Sequence, residues 1–315
     1  MSALLHRLRC DSGQAVVFVA VGLFALVGMA ALVIDGGSWR QTQRHLQTAA
    51  DAGALAGAQN LPTDQSGASG NAVSFAQQNF PGISAPTVNF PSAGEIDVSA
   101  QTDAPGFLAK IYGAAFGNVT VRAHARAAVG VPLFLKDVAP VALKAGAACA
   151  VTNPGCYGRT ITLSFDESNV ASSQIGLINL DCHSSTSTVC GSGGLGGSTL
   201  RDWIQNGYSS ALSTNQWYGV KTGETIGPVR QGFESRAGTG QPLFFPVWDQ
   251  YSTTGGSFHV IGWAAFVIDS GGVSWGSQTR QLTGHFVTYV ATDLASGGTV
   301  TGATDYGVHV ITLTQ

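Results

Sequence analysis

From Ala15 to Ile34 the chain runs for twenty positions without a charge, AVVFVAVGLFALVGMAALVI. Twenty residues at helical rise cover about 30 Å, the hydrocarbon thickness of a bilayer, so this run predicts a transmembrane helix. Past the run, Trp39, Leu46, Ala49, Ala50, Gly53, Ala54 and Gly57 recur at helical spacing until Asn60 and Pro62 stop the pattern. The two stretches together predict a nearly continuous rod over 15–60, with Gly36 and Gly37 as a hinge at the membrane surface. The face formed by Ala50, Gly53, Ala54 and Gly57 is small enough for another backbone to come close. Either the protein's own following domain or a second helix of the same kind fills such a face.

Beyond the rod, the segment 66–130 opens with a short amphipathic pattern from Ala72 to Phe80, closed by Pro81 and Gly82. Alternation predicts strands at Val88–Phe90, Ile96–Ala100 and Val119–Val129. Between the last two, Phe107, Leu108, Ile111, Tyr112 and Phe116 predict a helix opened by Pro105. Val131–Gly146, with Pro132 and Pro140, reads as a linker. The remainder, 147–315, is β-rich. Its strands are expected at Thr160–Phe165, Gly176–Leu180, Leu243–Trp248, His259–Ile268, Gly284–Val290 and Tyr306–Leu313. Helices are expected at Thr199–Leu212, where Thr199 and Asp202 form a capping-box pattern, and at Pro228–Arg236. The fold class is α+β: a long N-terminal helix, a small α+β module over 66–130, and a β-rich domain.

Charge orients this arrangement. His6, Arg7 and Arg9 precede the span, so 1–14 is expected in the cytoplasm and everything past 34 outside it. Arg40 and Arg44 follow the span and reduce the asymmetry. A cleaved secretory signal has a shorter apolar core and ends near a small-x-small site. Here the run is long and helical sequence continues through 35–60, which favours a retained anchor. Lys and Arg number 15 against 18 Asp and Glu, a balance with no electrostatic footprint for nucleic acid. The 42 Gly accompany 44% hydrophobic residues, so the chain is rich in turns and strands rather than disordered. Four of five cysteines form two close pairs, Cys149/Cys156 and Cys182/Cys190. Their spacing suits disulfides in an oxidising compartment and fits no zinc knuckle.

The stretch SGQAVVFVAVGLFALVGMAALVIDGGSWRQTQRHLQTAADAGALAGA, from Ser12 through Ala58, resembles the N-terminal segment of TadG-like proteins of the tight-adherence (Flp) pilus assembly system. The resemblance rests on the Gly13-Gln14 opening, the apolar helix, the exit at Asp35 and Gly36, and the signature from Leu46 to Ala56. It implies a single-pass, pilin-like envelope protein over 12–60, whose partners are the lipid bilayer and other pilin-like or pilus assembly proteins. Phe18 stands fifth after Gly13, where pilin-type substrates of the prepilin peptidase carry Glu. That departure speaks against processing at Gly13.

Several patterns invite chemistry. Gly272-Val273-Ser274-Trp275-Gly276 spells the nucleophile elbow, with Asp293 and His309 downstream, but the elbow needs a helix after the Ser and GSQTRQLTG is a poor one. A hairpin turn between strands 259–268 and 284–290 is the better reading. Gly191 to Gly196 matches G-x-G-x-x-G without the preceding strand that a dinucleotide site requires. His259, His285 and His309 lie on three predicted strands and lack a carboxylate at ligand spacing. Asp166 and Glu167 are adjacent, and on a strand they face opposite sides. Asn118-Val119-Thr120 has the glycosylation form inside a predicted strand. Trp203, Trp217, Trp248, Trp263 and Trp275 concentrate in the last domain, as core or as a carbohydrate- or partner-binding surface. No cofactor, metal site or catalytic set is expected, and the chain reads as a structural protein, with an anchored binding or adhesion module as the alternative and an anchored serine hydrolase using Ser274 ranked third.

Overall fold

The computed structural model describes residues 12–108, 110, 117–166, 169–189, 195–221, 226–277, 279–291, 299–300 and 304–314. Its first element, α1 (Ser12–Ala58), is one continuous helix of 47 residues. It runs unbroken through Gly36 and Gly37, so the anticipated hinge is not there. A glycine costs a helix about 1 kcal/mol but, unlike proline, keeps the hydrogen-bond ladder intact.

The chain divides into two units, one made of Met1–Asn60, Asp64–Ala127 and Leu313–Gln315, the other of Leu61–Thr63 and Ala128–Thr312. In the first unit, the second half of α1 packs against α2 (Gln65–Asn79) and β2 (Glu95–Pro105). Asp64 caps α2 by accepting the Gly67 amide at 2.8 Å. Ala68, Ala72 and Ala76, spaced four apart, form the buried stripe of α2. Opposite lie Leu46, Ala49, Ala50 and Ala54, all fully buried. Strand β1 (Thr87–Ser92) pairs antiparallel with β2, and β3 (Asn118–Pro132) adjoins β2 on its other side. Alternation turns Ile96, Val98 and Ala100 inward on β2, and Val121, Ala123 and Ala125 on β3. Alanine dominates both sides, so helices and sheet approach closely and little volume is left to fill.

The second unit is built differently, around aromatic side chains. Its strands are β4 (Phe134–Leu135), β5 (Val141–Lys144), β6 (Ile161–Ser164), β7 (Ile175–Ser184), β8 (Leu212–Ser213), β9 (Gln216–Val220), β10 (Leu243–Ser252), β11 (Ser257–Trp275), β12 (Arg280–Val287), β13 (Tyr289–Val290), β14 (Thr299–Val300) and β15 (Val308–Thr314). Strands β10, β5, β7, β9 and β11 each pair with two others of the set, and the β10–β11 ladder closes them into a ring. The 19 residues of β11 reach past this ring to pair with β12, which in turn pairs with β6. Helices α3 (Gly197–Asn206) and α4 (Ile226–Arg236) pack on each other, and α4 packs on β11. Trp248 stacks on Phe258 at 4.4 Å between ring centres, and Phe266 meets Phe286 edge-on at 5.1 Å. Trp263, fully buried, donates its indole N–H to the Pro132 carbonyl at 2.9 Å.

Several sequence expectations are corrected here. The stretch 131–146 is no linker: it carries β4 and β5, and Val138, Ala139, Val141, Ala142 and Leu143 are completely buried. Its prolines misled because Pro140 precedes a strand and still contributes its carbonyl, which accepts the Ile178 amide at 3.1 Å. Helix α3 is capped at Gly196, not by Thr199, which lies inside the helix, and it ends at Gly207 rather than Leu212. Gly207 has φ +80 and ψ 164, an extended positive-φ conformation that glycine takes without strain. The helix expected over 107–116 falls mostly outside the described residues.

Candidate functional site

The feature that sets this molecule apart is the first half of α1. From Val16 to Ile34 its large apolar side chains point away from the protein: Phe18, Phe24 and Leu32 are 68%, 60% and 73% exposed. A helix with this surface and no charge over twenty residues is long and apolar enough to cross a membrane. Water would charge about 25 cal/mol for each Å² of such surface, and a bilayer removes that cost.

The span ends at Asp35, which is fully buried. Its carboxylate accepts the Phe107 amide at 2.9 Å and the Leu108 amide at 3.0 Å. Two backbone donors of a sequence-distant loop are thus satisfied by the first charge after the apolar run. Past Asp35, Arg40, Arg44 and His45 lie on an exposed helix face that follows within three turns.

Farther along the first unit, Asp97 on β2 is flanked by two residues of β3. His124 Nε2 lies 2.8 Å from Asp97 Oδ1, and Arg126 Nη2 donates to Oδ2 at 3.1 Å. Partial burial would raise the Asp97 pKa, but the hydrogen bonds and charges of His124 and Arg126 outweigh it and hold the carboxyl below its ordinary value. A depressed carboxylate stabilises the fold above its unfolded-state pKa, and that contribution is lost as pH falls through the folded value. Asp97→Asn is therefore expected to lower stability near neutrality by about 1.5–3 kcal/mol, the worth of charge-assisted hydrogen bonds. The difference from wild type should start to shrink below about pH 4, where the carboxyl of the unfolded chain takes up its proton, and go on shrinking as pH falls toward the lowered folded value. Thermal melts of both proteins across pH check this, and a gap that persists unchanged at pH 3 would contradict it.

The small-residue face is occupied by the protein itself. A Cβ on Gly53 would lie 2.7 Å from the Ala72 carbonyl oxygen, and one on Gly57 would lie 2.8 Å from that of Ala68. Ala50 and Ala54 are fully buried in the same seam. The face therefore serves α1–α2 packing and is closed to a second helix. Cys149 and Cys156 form a disulfide in the second unit, beside Tyr157, whose hydroxyl donates to the Cys149 carbonyl at 2.9 Å. Cys182 is also disulfide-bonded, and Cys190 lies outside the described residues.

Among the described residues, the remaining sequence patterns lie apart from one another. Gly272 to Trp275 lie within β11, paired with β12 rather than followed by a helix, and past them the Gly276 amide donates to the Thr279 carbonyl at 2.8 Å. Ser274 thus sits neither on an elbow nor in the hairpin turn that the glycines suggested; Asp293 is outside the described residues. Gly271, at φ +72, belongs to a bulge between Ile268 and Val273. Of Gly191 to Gly196, only Leu195 and Gly196 are described, the latter as the α3 cap. The three histidines do not converge. His259 Nδ1 lies 2.7 Å from Asp249, His285 Nδ1 2.8 Å from Asp269, and His309 Nδ1 2.8 Å from Asp305. No group of three metal-ligating side chains occurs among the described residues. Glu167 lies outside the described residues, while Asn118 and Thr120 belong to β3, where Thr120 donates to Asp103 at 2.7 Å. Trp203, Trp248, Trp263 and Trp275 are buried, which leaves only Trp217 of that set partly open and argues for core over a binding surface. Burial and the Asp181 carboxylate push Tyr208 up to about 12.

Two features escaped the sequence reading. The Asp35 clamp joins residues 72 apart, and the Asp97 cluster depends on the pairing of two strands. The signal for the second was the i, i+2 placement of His124 and Arg126 on one face of a strand.

Comparison with known proteins agrees with the weight placed on α1. Residues 13–60 match a family model described as "Putative Flp pilus-assembly TadE/G-like". No curated protein and no solved structure matches the chain.

Proposed function

We propose that this chain is a single-pass, membrane-anchored structural component of Flp (Tad) pilus assembly, pilin-like in build, with 1–14 in the cytoplasm and both units exported. The observation that carries this reading is the coincidence, on one helix, of an exposed twenty-residue apolar span with the TadE/G-like segment at 13–60. The basic residues His6, Arg7 and Arg9 before the span support the orientation. The Cys149–Cys156 disulfide supports an oxidising compartment for the second unit.

Mechanically, the first half of α1 holds the protein in the bilayer, and its second half is the post on which the first unit is built. The work on this reading is positioning rather than chemistry, as the TadE/G-like match over 13–60 supports. Partner proteins of the pilus assembly machinery then meet the span inside the bilayer or the exported units outside it, since the Ala50–Gly57 seam is already filled.

Fractionation of native cells tests the reading. The protein is expected in the membrane fraction, resistant to carbonate extraction, with peptides crossing Gly13 and Gln14 recovered intact by mass spectrometry. A start at Gln14 with protein in sheared filaments would instead make it a processed filament subunit despite Phe18. Recovery in the soluble fraction would overturn the anchor.

A further inference from the structure

We propose that the Gly37–Thr48 face of α1 binds the headgroups of anionic phospholipids, with Arg40 and Arg44 as the phosphate-contacting residues. The inference rests on the reading that 15–34 spans the bilayer. Gly37, Arg40, Gln41, Arg44, His45 and Thr48 line an open depression of about 600 Å³ along one side of the helix. All six are exposed, and the two arginines stand one turn apart.

Height decides what this face meets. At 1.5 Å per residue, Arg40 lies about 9 Å beyond Ile34 and Arg44 about 15 Å. The polar layer on each side of the hydrocarbon is about 5–8 Å deep. Side chains on a helix lean toward its N-terminus, and here the N-terminus is the membrane side. Both long arginine stems therefore point back toward the bilayer, which brings the Arg40 guanidinium into the headgroup layer and that of Arg44 to its outer edge.

Charge points the same way. Asp35, the carboxylate closest to the span, is buried and engaged with the Phe107 and Leu108 amides. Nine residues separate it from Arg44, which puts the two on opposite sides of the helix. Asp51 accepts a hydrogen bond from Gln47 at 2.8 Å. Among the described residues neither Arg40 nor Arg44 makes an ion pair. Two unpaired guanidinium groups at headgroup height match phosphate, which each can hold bidentately. An anionic membrane surface attracts a nearby basic residue with a gain of about fivefold in binding per residue.

The test uses the full-length protein in nanodiscs of phosphatidylcholine with graded phosphatidylglycerol, followed by native mass spectrometry of co-released lipid. Wild type should retain phosphatidylglycerol over phosphatidylcholine. Arg40→Gln/Arg44→Gln should lose that preference, by about fivefold per arginine. Arg122→Gln, remote in sequence from the span, should retain it. Equal retention by wild type and the double variant, or no preference in wild type, would overturn the proposal. Displacement by soluble glycerol phosphate at concentrations matching the lipid would show a free-phosphate site and overturn the lipid assignment. Carbonate extraction separates the two levels of failure: an integrated protein without lipid preference sinks this inference alone, whereas an extractable wild type sinks the spanning reading beneath it.

Discussion

Arginine at both Leu23 and Leu26 is expected to abolish membrane integration while leaving the described packing of both units untouched. The two leucines lie near the middle of the apolar run and are each 62% exposed, so neither supports the protein's own core. An arginine near the centre of a transmembrane helix costs about 2.5–3.5 kcal/mol on insertion, so the pair costs about 5–7 kcal/mol. That corresponds to at least a thousandfold shift away from the inserted state. Carbonate extraction reads the shift directly, with Leu23→Ile/Leu26→Ile as the control that stays in the pellet. A consequence follows for the thiols. A chain that fails to insert also fails to be exported under the orientation proposed above, so Cys149 and Cys156 should become accessible to alkylation. If the arginine pair pellets like wild type, the first half of α1 is not in lipid. If the pair instead unfolds the first unit, the run packs against protein.

The contrast between the two halves of α1 also explains what was legible in the sequence. Length and an uninterrupted apolar run located a helix long and apolar enough to cross a membrane, because a bilayer imposes a single dimension on any helix that crosses it. Alternation located β1, β2 and β3, where one face of each strand is the more buried and the other meets water. The second unit was harder. Its ring of strands buries residues on both faces, so β5 reads as a short apolar run, Val141 to Leu143, between Pro140 and Lys144. Strand β9 opens on Gln216 and spans only five residues, too short for a period to emerge. Glycine-rich segments misdirected for a related reason. Gly271 and Gly272 mark a bulge within β11, and a bulge and a turn draw on the same residues. Bulges also aim Asp249 and Asp269 at His259 and His285, pairings that no spacing along the chain discloses. The small residues of α1 were visible from the start; which partner filled the seam was not, because Ala50, Gly53, Ala54 and Gly57 suit a neighbouring helix from the same chain or from another.

Alanine in place of Gly57 decides between those partners, since the sign of its effect reverses with the answer. On an open helix, Gly→Ala gains up to about 1 kcal/mol from the lost backbone freedom of glycine. At Gly36 and Gly37, where nothing lies within 4 Å of a new Cβ, that gain should be realised. At Gly57 the added carbon would sit 2.8 Å from the Ala68 carbonyl oxygen and 3.0 Å from the Ala72 Cβ; at Gly53 it would sit 2.7 Å from the Ala72 oxygen. Backbone atoms of α2 cannot yield without shifting the helix, and overpacking of this kind costs about 1–3 kcal/mol. Gly57→Ala and Gly53→Ala should therefore lower the unfolding temperature of the first unit in detergent, and leucine at either position should lower it further or prevent α2 from docking. Limited proteolysis of α2 offers an independent readout, with faster cleavage expected for both variants and none of that acceleration for Gly37→Ala. Should Gly57→Ala stabilise as Gly37→Ala does, α2 does not fill the seam, and the face of Ala50, Gly53, Ala54 and Gly57 returns to being a surface for a second pilin-like helix.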